Sequence, residues 1–121
     1  MKVFSVHFVL KGKSDYKDLA PVFPDILKEL LIEIDQVPEE EEIMQMFIEL
    51  NVIDLERNRK PEGYNRKGKI RLVFPTDRKE FYFKSFSKAT DLTKITELTT
   101  SLLKGAGVSY EILNNDRTDF D

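Results

Sequence analysis

The chain has no cysteine and a single histidine. The first absence excludes disulfides and thiolate metal sites, and it points to a reducing compartment, hence a cytoplasmic location. The second leaves His7 without a histidine or cysteine partner, so the usual metal and Cys–His nucleophile sets are excluded. A serine hydrolase site would have to pair His7 with Ser5, Ser14, Ser85, Ser87, Ser101 or Ser109, and none of these stands in a Gly-x-Ser-x-Gly elbow. His7 is therefore read as a strand residue.

Glycine and proline are scarce, with five of each. Lys11-Gly12-Lys13-Ser14 lacks the spacing of a phosphate loop, and Gly105-Ala106-Gly107 follows a helical pattern instead of opening one. No apolar run approaches the ~18 residues of a membrane helix. The N-terminal apolar run is broken by Ser5 and His7, so it reads as a strand and not as a signal peptide. These absences together predict a small soluble protein that is not an enzyme, with no cofactor, no metal and no membrane partner.

Charge is abundant instead. Charged residues make up 34% of the 121, and the net charge of −3 conceals a block structure. Residues 1–56 hold 13 acids and 5 lysines, whereas residues 57–104 hold 13 cations and 5 acids. Every arginine falls after residue 56. Such blocks either neutralise one another in the fold or give a dipolar surface that steers a charged partner.

Residues 3–10 alternate, placing Phe4, Val6, Phe8 and Leu10 on one strand face. Pro24 and Asp25 suit a helix start, and Ile26, Leu27, Leu30, Leu31 and Ile34 keep helical spacing, so 24–36 reads as a helix. Residues 39–57 fit two patterns. As a helix, Ile43, Met46, Phe47 and Leu50 make its stripe. As a strand, Met44, Met46, Ile48, Leu50 and Val52 alternate with polar residues. The alternation runs longer, so a strand over about 43–56 is favoured. Residues 57–68 lack apolar periodicity and read as a flexible basic loop.

A hairpin follows around Pro75-Thr76-Asp77-Arg78. Its expected register sets Leu72 opposite Phe81, Ile70 opposite Phe83, Arg71 opposite Tyr82 and Lys69 opposite Lys84. Thr90 or Asp91 caps a helix striped by Leu92, Ile95, Leu98 and Leu102 and ended by Gly105. Val108–Leu113 reads as a last strand, and 114–121 as a frayed acidic tail with Asp116, Asp119 and Asp121. The expected fold is one α+β domain over 1–121. It has a single antiparallel or mixed sheet of about five strands with two helices on one face, in the order β-α-β-β-β-α-β.

Two features are candidates for a binding site. Glu39, Glu40, Glu41 and Glu42 form an acidic run without the turned-loop spacing of a calcium site, so a solvated turn or a protein-contact ridge explains it better. Arg57, Arg59, Lys60, Arg66, Lys67, Lys69, Arg71, Arg78 and Lys84, with Tyr64 and Tyr82 among them, form a basic segment. Basic residues beside an exposed aromatic suit single-stranded nucleic acid, whereas the pI near 5.3 argues against it. The leading expectation is a protein-binding module of the kind found among bacterial and phage inhibitors, immunity proteins and anti-defence proteins. A nucleic-acid-binding domain using 57–84 is the alternative.

Overall fold

The computed structural model describes residues 3–66 and 68–115. In chain order they form β1 (Phe4–Leu10), a short 3-10 turn (Tyr16–Leu19), α1 (Phe23–Glu33), α2 (Glu41–Glu56), β2 (Ile70–Val73), β3 (Glu80–Ser85), a second 3-10 turn (Ala89–Leu92), α3 (Thr93–Gly105) and β4 (Tyr110–Asn115). The four strands make one sheet in the order β2-β3-β1-β4, antiparallel throughout. The α+β class and the single sheet with packed helices are as expected.

Alternation along each strand sends one set of side chains to the helices. Phe8 and Leu10 of β1, Ile70 and Leu72 of β2, and Phe81 and Phe83 of β3 meet Ile26, Leu27, Leu30 and Leu31 of α1 and Ile95 and Leu103 of α3 in one buried cluster. Phe8 stacks on Phe81 with ring centres 5.1 Å apart, and Phe83 meets both rings edge-on. α1 begins on Phe23-Pro24, one residue before the expected 24–36, and ends at Glu33, three residues short of it, just ahead of the left-handed Asp35.

The expected middle strand is corrected: residues 41–56 are helical, so the sheet has four strands and the helices number three. Glu41 and Glu42 lie in the first turn, where the helix dipole favours carboxylates. The apparent alternation arises because the helix is apolar on two sides. Ile48 and Leu55 point into the core with Met44 and Val52 beside them, while Ile43, Met46, Leu50 and Ile53 point out. Apolar residues around so much of a helix blur its 3.6-residue period into a period near two.

The hairpin register is also corrected. Leu72 lies opposite Phe83, Ile70 opposite Ser85, Val73 opposite Tyr82 and Arg71 opposite Lys84. Pairing stops at Val73 and Tyr82 instead of at the residues flanking Pro75-Thr76-Asp77-Arg78. The connection thus gains one residue on the β2 side and three on the β3 side, and Phe74 packs in the core against Phe81, Tyr16 and Phe23. A two-residue shift leaves every side chain on its expected face. Lys69 therefore does not face Lys84. At the end of α3 the left-handed residue is Gly107, with φ 72°, and not Gly105, which closes the helix itself. Asn114 and Asn115 belong to β4, and the rest of the expected tail, 116–121, lies outside the described residues.

Candidate functional site

The acidic run comes first. Glu39–Glu42 are all exposed at the start of α2, and among the described residues none of the four forms an ion pair. The basic segment begins at the other end of the same helix. Sixteen residues of helix separate the two by roughly 24 Å, so they are two ends of one surface and not one cluster.

Along the helix between them runs an exposed apolar stripe. Ile43, Met46, Leu50 and Ile53 are 38%, 48%, 59% and 44% accessible, and their 3-4-3 spacing puts them on one side, opposite Ile48 and Leu55. The helix packs inward against α1 and the Tyr16–Leu19 turn, at the margin of the helical layer. That position leaves the outer side of α2 uncovered.

Beside the stripe, α2 and the 58–66 segment enclose a cleft of about 480 Å³. Leu50 belongs to both the stripe and the cleft wall. The segment read as a flexible loop is pinned to its surroundings. Asn51 donates its amide to the Phe47 carbonyl and accepts the Gly63 N–H at 2.9 Å. Tyr64 bridges to Leu72 by two backbone hydrogen bonds, and its hydroxyl donates to Gln36 at 2.7 Å. Gly63 is required here: its φ is +74°, and a Cβ would stand 2.6 Å from the Leu72 carbonyl oxygen. Arg66 lies over the rings of Phe47 and Tyr64, at 5.0 and 5.6 Å.

The predicted basic residues divide among three places. Arg57 follows α2, Arg59 is paired with Asp54 at 2.8 Å, and Lys60 and Arg66 line the cleft. Lys69 is exposed ahead of β2, and Arg78 reaches Glu80 from the hairpin loop. Arg71 and Lys84 are opposite neighbours on the sheet face away from the helices, and both lie against the Phe86 ring. Burial, and then the charge of Arg71, pushes the Lys84 ammonium below its ordinary pKa. Tyr64 and Tyr82, expected to stack on a ligand, are both buried, the latter against His7 at 4.5 Å. Lys67 lies outside the described residues.

That same sheet face holds a relay that sequence reasoning missed. Ser5 Oγ lies 2.8 Å from His7 Nε2, and His7 Nδ1 lies 2.6 Å from Glu80 Oε2, all three residues being buried. A neutral His7 protonated on Nδ1 satisfies both contacts, accepting from Ser5 and donating to Glu80. The order resembles a hydrolytic triad, but the surroundings do not suit one. Ser5 is 3% accessible and sits on β1, a central strand whose amides are paired with β3 on one side and β4 on the other. Among the described residues, the β1 amides beside Ser5 are thus engaged in the sheet and not turned toward an oxyanion. The relay joins β1 to β3 and fixes their register. Ser5 and His7 could be placed on one face from sequence, but Glu80 could not join them until the strand pairing was known.

Among the described residues, no group of three or more His, Cys, Asp or Glu side chains could hold a metal ion, and no helix is long and apolar enough to cross a membrane. Compared with protein-family models, curated proteins and solved structures, the chain matches none.

Proposed function

We propose that this protein is a non-catalytic protein-binding module whose contact surface is the outer side of α2 with its adjoining cleft. It acts by occlusion, in the manner of an inhibitor, an immunity protein or an anti-defence protein. The observation that carries the reading is the exposed stripe of Ile43, Met46, Leu50 and Ile53. Contiguous apolar surface with a polar border marks a contact site, and an apolar centre with a charged rim is ordinary interface anatomy. Covering an apolar side chain of this size is worth about 1.5–3 kcal/mol when burial is complete. Four of them offset a useful part of the cost of association. The absence of cysteine fits action in a reducing cytoplasm.

A photo-crosslinking residue at position 50, with a second at Lys94 of α3 as control, tests the reading in the cells that make the protein. A protein adduct specific to position 50 is the expected result. Adducts equal at both positions overturn it. Nucleic-acid binding is a second reading, favoured by Arg71 and Lys84 lying together over Phe86. Titration with short DNA and RNA at low salt separates the two. Tight binding that weakens steeply with salt and is lost in Lys69→Glu/Lys84→Glu would favour the second reading.

A further inference from the structure

We infer that the partner laid on α2 is an amphipathic helix from a different protein, with lysine or arginine bordering its apolar stripe. This rests on reading α2 as the contact face. The stripe runs from Ile43 to Ile53, about three turns or 15 Å, which matches anchors at i, i+3 or i+4, and i+7 of an opposing helix. The cleft next to Leu50 offers room for one further side chain from the same partner.

Charge chooses the partner's border. Glu42, Glu49 and Glu56 recur every seven residues and so form a row along one edge of the stripe, with Glu39, Glu40 and Glu41 clustered at the helix start. Among the described residues none of these carboxylates is neutralised by a cation; Glu49 receives only a long hydrogen bond from Gln45. The one acid on the other edge, Asp54, is already paired with Arg59. An incoming helix therefore meets an uncompensated acidic row along its whole length, and cations there gain attraction and orientation.

The same row disfavours a second copy of this chain. A twofold axis that pairs two α2 helices antiparallel sets the Glu42–Glu49–Glu56 row of one against that of the other. A twofold axis that pairs them parallel brings the two Glu39–Glu42 runs side by side. Like charges then meet in either arrangement.

Two synthetic helical peptides of about three heptads, each with a leucine stripe, test this with the full chain. One is bordered by lysine, the other by glutamate, and binding is read by fluorescence anisotropy. The lysine peptide is expected to bind at least about tenfold more tightly, with the preference shrinking as salt rises. Binding is lost in Leu50→Glu, and the preference reverses in Glu42→Lys/Glu49→Lys/Glu56→Lys. Circular dichroism confirms that both variants keep their helix content. Equal binding of the two peptides, lost in Leu50→Glu, overturns the basic partner while leaving α2 as the contact face. Binding of neither peptide also overturns it, and the crosslink at position 50 then decides the broader reading separately. A dimer in sedimentation that Leu50→Glu dissolves overturns it by making a second copy the occupant.

Discussion

α1 and α2 are neighbours in sequence and in space, yet they use their apolar residues differently. α1 turns Phe23, Ile26, Leu27, Leu30 and Leu31 to the core, all of them buried. α2 places only Ile48 and Leu55 fully inside and carries four more large apolar side chains on its far side. Burial within the fold accounts for every large apolar residue of α1 but one, the exposed Ile32. It accounts for half of α2, and the other half is surface that folding does not cover. The difference separates residues kept for stability from residues available for contact.

The largest expected effects lie on the buried side. Leu30→Ala in α1 and Leu55→Ala in α2, both at 0% accessibility, should each cost about 2–5 kcal/mol in urea unfolding. A loss under 1 kcal/mol at Leu55 would mean that α2 is only loosely docked. Gly63→Ala should follow at about 1–3 kcal/mol, because the added Cβ meets the Leu72 carbonyl at a left-handed φ. The same denaturation curve checks it, and an unchanged midpoint would show that the cleft wall is not anchored as described.

A smaller effect belongs to the α1 side. Burial, and then the neighbouring Glu33, raises the Glu29 carboxyl above its ordinary pKa, and Glu29 Oε2 is buried without a hydrogen-bond partner. A carboxyl raised on folding favours the native state while protonated and loses that favour as pH rises through its native pKa. Glu29→Gln should therefore be more stable than the natural chain near neutral pH, with the gain closing in acid. Urea midpoints measured across that range read the difference directly. At the bottom of the scale, Leu50→Ala should change stability by less than about 0.5 kcal/mol, as for a surface residue.

How far the sequence could be read follows the same division. Strict alternation along β1 and across the hairpin gave the core faces of the sheet, because a face survives a register error of two residues. The register itself depended on where the hairpin loop is centred, which alternation alone does not fix. α1 was legible because its large apolar residues, Ile32 apart, lie on one side. α2 was misread because Ile43, Met46, Leu50 and Ile53 fill the side that should be polar. The feature that obscured the helix is the one proposed to carry function. The Glu39–Glu42 run and the basic loop were visible, but not that one helix holds them at opposite ends. Asn51, whose amide ties the loop to the helix, looked like any polar residue.

The most direct test replaces the whole outer stripe by polar residues, Ile43→Gln/Met46→Gln/Leu50→Glu/Ile53→Gln, in a chain carrying the photo-crosslinker at Phe47 on the cleft wall. Thermal unfolding and crosslinking are then measured on the same preparation. The expected result is a melting temperature within a few degrees of the natural chain and loss of the crosslinked partner. A variant that unfolds would show that the stripe is structural, and one that keeps its partner would show that contact is made elsewhere.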